Sequence, residues 1–221
     1  MTGSRRECRP QGADTCTPDA YFARMYAERD DPWDLAGRWY EQRKYALTVA
    51  ALPRPVYRSA YEPGCSVGVL SGLLAARCRK LLACDREQKA VERARRRLSQ
   101  HPHVRVEHQV LPRDWPTGRF DLIVLSELLY YFNAPVGADL LDLAVQSLEP
   151  GGTLLLVHWR HAVADHARGA EEVHRQARAH PALVAVAAHT EPDFLLDVLV
   201  RPDRPDTPAA RLSVAALEGL T

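Results

Sequence analysis

The 221-residue sequence has no run approaching the ~20 apolar residues that a membrane-spanning helix needs, and its first ten residues carry arginines without the apolar stretch of a secretion signal. A protein that is neither embedded nor exported is expected, and with it a cytoplasmic location. Net charge is almost absent, at +1, so no bulk attraction draws the chain to nucleic acid or to an anionic membrane, and partners have to be inferred from sites. Cysteine is sparse: Cys8, Cys16, Cys65, Cys78 and Cys84 are odd in number and scattered, without zinc-type or redox spacing, which suits a reducing compartment. No internal repeat is present. The hydrophobic share of 46% and charged share of 26% are those of a globular protein, and the length fits one domain.

Along the chain, residues 1–17 are polar and aperiodic and read as a disordered tail. Residues 18–55 hold Tyr21, Phe22, Tyr26, Trp33, Trp39, Tyr40 and Tyr45 at spacings that suit helices interrupted at Asp31-Pro32, an N-terminal helical cap. The main domain is expected over 56–200. It starts with a short strand at Val56–Tyr61, followed by a helix from about Val69 to Arg77, a strand at Leu81–Cys84 and a helix at Arg86–Ser99 with Val91, Ala94 and Leu98 inward. Val104–Val110 alternates like a strand, Phe120–Leu125 is a buried strand, Gly137–Leu148 a helix and Thr153–Val157 another buried strand. A helix near Gly169–Ala179 and strands at Leu183–Ala188 and Phe194–Val200 follow, before a proline-rich tail over 201–221. Strands trading places with helices make an α/β fold, a Rossmann-like, mostly parallel sheet that binds ligands at the carboxyl ends of its strands.

Four segments carry chemistry. In Tyr61-Glu62-Pro63-Gly64-Cys65-Ser66-Val67-Gly68, a strand ends in a glycine-bearing turn that opens a helix, where Gly64 and Gly68 let backbone approach a ligand. A dinucleotide G-x-G-x-x-G would need glycines where Ser66 and Val69 stand, and no Gly-Lys-Ser/Thr follows for a triphosphate. Asp85 ends the next strand, placed to accept hydrogen bonds from ribose hydroxyls or, equally, to cap the helix after it. Leu111-Pro112-Arg113-Asp114-Trp115-Pro116 could set an acceptor and an aromatic face beside an adenine, or form a surface turn stiffened by two prolines. Ser126 and Glu127 sit just past the Phe120–Leu125 strand, facing the reacting centre.

In this order the four segments, with the Pro150-Gly151-Gly152 turn before the next strand, resemble the class I S-adenosylmethionine-dependent methyltransferase superfamily over residues 56–160. More specifically the sequence resembles the nodulation NodS-type methyltransferases through Asp31-Pro32-Trp33, Trp39-Tyr40-Glu41-Gln42-Arg43-Lys44-Tyr45, Leu111-Pro112, Ser126-Glu127-Leu128-Leu129-Tyr130-Tyr131 and His158-Trp159-Arg160. It departs from their pattern at Ser66, where a glycine is common, and at Gly169-Ala170-Glu171, where a Gly-Asp pair is usual.

The resemblance implies a seven-stranded sheet with its last strand antiparallel, helices folded over S-adenosylmethionine, and N-methyl transfer to the amine of a glucosamine unit in a small-molecule or oligosaccharide acceptor. The expected cofactor set is Glu62, Gly64, Cys65, Gly68, Asp85, Asp114, Trp115 and Ser126. Glu127 and His158 are the candidates to bind and deprotonate the amine, and Tyr130, Tyr131, Trp159 and Arg160 to contact the acceptor. Glu127 as a simple cap and the tyrosines as core remain alternatives. His158, His161, His166 and His174 match no zinc spacing, so no metal is expected and they are read as surface-loop or substrate-contact residues. Methylation of another small metabolite at oxygen or nitrogen, or a cofactor-binding regulatory subunit without turnover, also fits the sequence; no basic stripe favours nucleic acid.

Overall fold

The computed structural model describes residues 16–204 and 206–220, so most of the expected N-terminal tail lies outside the described residues. Cys16 and Thr17 are described, and both are buried, the Thr17 amide donating to the Tyr131 carbonyl at 2.8 Å.

Seven strands form one sheet in the order β3-β2-β1-β4-β5-β7-β6. They are β1 (Ala60–Pro63), β2 (Leu81–Asp85), β3 (Val104–His108), β4 (Phe120–Ser126), β5 (Leu148–Trp159), β6 (Val184–Thr190) and β7 (Phe194–Val200). β1 to β5 pair in parallel, whereas β7 runs antiparallel to both β5 and β6. The chain leaves β1 toward β2 and β3, then returns to lay β4 on the other side of β1. That reversal opens a crevice at the carboxyl ends of β1 and β4.

Central β4 shows why the sheet is buried on both faces. Leu122 and Val124 point one way, onto Leu70 and Leu74 of α3 (Val69–Ala75) and Tyr45 of α2 (Trp39–Ala50). Ile123 and Leu125 point the other way, onto Leu140, Leu141 and Ala144 of α5 (Ala134–Ser147) and Val173 and Ala177 of α6 (Ala170–Arg178). Val91, Ala94 and Leu98, on and just after α4 (Gln88–Arg97), cover Ala83 and Val106, the inward face expected from their spacing. α1 (Asp19–Glu28) and α2 precede the sheet, separated by the Asp31-Pro32 interruption.

Several boundaries differ from the sequence reading by a few residues, those of β1 and β5 by the most. β1 starts at Ala60 rather than Val56, because the amides of Arg58 and Ser59 donate to the Asp121 carboxylate at 2.9 Å instead of joining the ladder. β5 begins before the Pro-Gly-Gly turn and runs on to Trp159. The C-terminal segment holds a 3-10 turn (Ala209–Leu212) and a short α7 (Val214–Leu217). Among the described residues no helix is long and apolar enough to cross a membrane.

Candidate active site

A cavity of about 410 Å³ fills the crevice at the β1/β4 reversal, walled by the ends of these strands, by α1 and α2, and by the loop after β5. It has two ends of different chemistry.

The first end is built by the turn after β1. Gly64, Ser66 and Gly68 all have positive φ, at 75°, 50° and 78°, which coils the backbone so that the Ser66 amide donates to Asp85 Oδ2 at 2.9 Å. Asp85 Oδ1 takes the Glu87 amide at 2.9 Å, and burial pushes the carboxyl up to about 6. Ser66 adopts the left-handed backbone that a glycine would accept freely, and its hydroxyl pairs with Tyr26 of α1 at 2.5 Å. Glu62 is deeply buried in the cavity wall, its Oε2 has no hydrogen-bond partner among the described residues, and burial raises its pKa to about 8. Cys65 also lines this end.

The second end lies past β4. Glu127, at φ 51°, accepts Lys44 Nζ on Oε1 at 2.7 Å, and on Oε2 the Tyr130 hydroxyl and the Trp159 amide, the latter at 2.9 Å. Lys44 reaches in from α2, is 2% exposed, and also pairs with Glu41 at 2.9 Å. Burial lowers the Lys44 pKa, but Glu127 and Glu41 outweigh it and leave the ammonium above its ordinary value. Tyr40, Tyr131, Trp159 and His166 complete the wall, with Lys44 Nζ 5.0 Å from the Tyr40 ring centre. Ser126 also lines the cavity.

Of the residues expected from sequence, Glu62, Gly64, Cys65, Asp85, Ser126, Glu127, Tyr130, Tyr131 and Trp159 are brought together around this cavity. Five are not. Asp114 turns outward to take the Val110 amide at 2.9 Å and pair with Arg113, while Trp115 sits in the core against Tyr61 with its indole N–H on Ser147 at 2.9 Å. Gly68 faces α4, where a Cβ would lie 3.1 Å from the Ala94 Cα, so helix packing and its left-handed backbone both call for glycine there. Arg160 points to Glu171 and the Glu191 carbonyl.

His158 corrects the expected catalytic pair. It is fully buried behind the cavity, its Nε2 accepts the Leu129 amide at 3.2 Å, and its Nδ1 meets His174 Nε2 at 3.0 Å. His174 in turn donates from Nδ1 to Asp197 at 2.7 Å, and Arg178 clamps that carboxylate at 2.7 and 2.8 Å. This chain fixes the backbone beside Glu127 but leaves His158 no free nitrogen for an acceptor. Burial also drives its pKa well below the ordinary value.

The sequence reading missed Tyr26, Lys44 and Gln109 and left His166 between a surface loop and substrate contact; all four line the cavity. Gln109 occupies the place assigned to Asp114: it is buried beside the turn after β3 and accepts the Tyr61 hydroxyl at 3.0 Å. Lys44 was visible only as part of the Trp39–Tyr45 motif, with nothing to mark it as facing Glu127.

Residues 21–188 match the family model described as nodulation protein S (NodS). A nodulation protein S of Bradyrhizobium diazoefficiens is 35% identical over 150 residues, covering 65% of this chain and 71% of the relative. A solved Pseudomonas syringae structure, assigned as a methyltransferase, is 48% identical, with a TM-score of 0.67 over 74% of this chain and 100% of that one. The N-methyltransferase NodS from Bradyrhizobium japonicum WM9, solved with S-adenosyl-L-homocysteine, is 27% identical, with a TM-score of 0.73 over 83% of this chain and 97% of that one.

Proposed function

Because the chain belongs to the nodulation protein S (NodS) family, we propose that it methylates the amine of an amino sugar, free or at the end of an oligosaccharide. Membership makes it an S-adenosylmethionine-dependent methyltransferase. The first end of the cavity fits that cofactor: the unpartnered Glu62 Oε2 is a buried acceptor suited to a donor such as an amino acid's ammonium, and Asp85, at the end of β2 in the same wall, is suited to accept from ribose hydroxyls. When bound, S-adenosylmethionine supplies a methyl group on a positively charged sulfur.

The observation that carries the acceptor class is the Glu41–Lys44–Glu127 cluster, with Lys44 and Glu41 buried and Glu127 partly so, two carboxylates around one ammonium in an aromatic chamber. Its charge is net negative. At an effective dielectric of 20, a unit charge ~4 Å away contributes about 4 kcal/mol, which attracts a cationic amine and repels a carboxylate acceptor. Tyr40, Tyr131 and Trp159 offer ring faces for the apolar face of a sugar and for its cation. Most of the rate then comes from holding the acceptor nitrogen in line with the methyl group.

The test supplies S-adenosylmethionine with a β-1,4-linked glucosamine tetramer, its fully N-acetylated counterpart, a phenol and a carboxylic acid, and locates the methyl by mass spectrometry and NMR. Methyl on nitrogen of the free-amine tetramer, with none on the acetylated one, is expected. Methyl on oxygen of the acetylated tetramer, or turnover of the phenol or acid alone, overturns the amine reading.

A further inference from the structure

An amine acceptor arrives mostly as an ammonium and has to lose a proton before its lone pair can attack. Glu127 is poorly arranged to take it, since three of its roughly four lone-pair positions already accept Lys44, Tyr130 and Trp159. Protonating it would also break up the ion pair with buried Lys44. His158 has both ring nitrogens engaged behind the cavity.

His166 has neither commitment. It lines the cavity, its ring stacks on Tyr130 with centroids 3.8 Å apart and planes at 15°, and it meets the Tyr131 ring edge-on at 5.1 Å. Its ring nitrogens make no hydrogen bond to any described residue. The loop that carries it is pinned: the Ala167 and Arg168 amides donate to the Tyr130 carbonyl at 2.9 and 3.1 Å. Arg168 donates from Nε to the Phe132 carbonyl at 2.9 Å and from Nη2 to the Leu129 carbonyl at 3.3 Å, and Thr17 donates to the Asp165 carbonyl.

We propose that His166 is the catalytic base that takes the proton from the acceptor's ammonium, an assignment that rests on the amine reading above. One N–H bond of the ammonium breaks, one N–H bond forms on the imidazole, and the freed lone pair is the nucleophile for methyl transfer. The imidazolium then releases its proton to water at the cavity mouth. The charged and titratable groups around His166 are Glu127 at the end of β4, Tyr130 and Tyr131 on the 3-10 turn, Tyr21 of α1 beyond Tyr131, His158 of β5 beyond Tyr130, and Asp165 on its own loop. Burial lowers the His166 pKa from 6.5 against the pull of Glu127 and Asp165, leaving the ring neutral and able to accept at pH 7.

The experiment measures kcat and KM from pH 5.5 to 9.5 on the glucosamine tetramer for the wild type, His166→Gln and His166→Ala. S-adenosyl-L-homocysteine affinity by calorimetry and Tm are measured alongside. Expected for His166→Gln is a kcat loss of about 10²–10⁴-fold, with ligand affinity within about twofold, Tm near wild type and the acid limb moved up toward the amine's own pKa. Added imidazole should restore His166→Ala by tenfold or more. In the wild type, NMR of the His166 ring should shift when the tetramer joins the homocysteine complex. A wild-type rate and acid limb in His166→Gln overturn the proposal, and so does a loss that imidazole leaves unrelieved. Wild-type enzyme that methylates oxygen instead of the amine fails the acceptor reading separately.

Discussion

Glu62→Gln should make the ligand-free protein more stable and at the same time ruin its cofactor site. The Glu62 carboxyl titrates at about 8 in the fold and at 4.5 unperturbed, so the folded protein holds a proton that the unfolded chain has released at pH 7. The sign follows from linkage: between 4.5 and 8 the native state binds more protons, and stability falls as pH rises through that window. Over the roughly 2.5 units from 4.5 to 7, at about 1.36 kcal/mol each, the cost comes to about 3 kcal/mol. The figure changes little if the folded value is 7 or 9, because the group is largely or wholly protonated at pH 7 either way.

Glutamine has no such proton to hold. Denaturant unfolding without ligand should show Glu62→Gln about 3 kcal/mol above wild type at pH 7 and about 1 kcal/mol above it at pH 5, equivalent to a Tm gain of roughly 6–12 °C at pH 7. Calorimetry should show S-adenosylmethionine binding weakened at least tenfold. Equal stability of the two proteins at both pH values would refute the assignment of Glu62 as a buried, unpaired acid.

Three further outcomes test other parts of the site. Lys44→Met leaves buried Glu41 and partly buried Glu127 without the cation between them and should cost about 2–4 kcal/mol in urea unfolding, toward the low side of a broken buried pair, with part recovered in the Lys44→Met/Glu127→Gln double variant. Ser66→Ala strips the buried Tyr26 hydroxyl of its partner and should cost about 1–3 kcal/mol, most of it returned when Tyr26→Phe is added. His158 is held neutral in the fold while the unfolded chain takes up a proton below 6.5. Stability is therefore full above that pH and lost below it, by up to about 1.36 kcal/mol per unit from this residue; His158→Gln should flatten the acid arm of the stability curve between pH 6.5 and 5.

The sheet was legible because Leu122–Leu125 of β4 and Leu154–Val157 of β5 are continuous apolar runs that only a doubly covered strand accommodates, and because the turn after β1 carries its glycines where the backbone turns left-handed. Facing was harder to read. His158 and Trp159 are neighbours, yet strand alternation gives His158 the face of Leu154 and Leu156, toward His174, and turns Trp159 to the cavity. Gln109 and Asp114 both offer an oxygen near the same turn. Only the folded loop, in which Asp114 bends back onto the Val110 amide, decides which one lines the site. Lys44 lies 83 positions from Glu127, and no local pattern encodes a contact at that range.

The Lys44–Glu127 contact also limits how acceptor choice can be re-engineered. Residues from the helical N-terminus form much of the acceptor chamber, so exchanging that segment between relatives is an obvious route to a new substrate range. A transplanted segment without a cation at position 44 would strand a carboxylate under the new roof, and one that brought the cation to a host lacking Glu127 would strand the ammonium. Chimaeras in this family should therefore be built in matched halves, with the post-β4 turn travelling together with the helices that cover it.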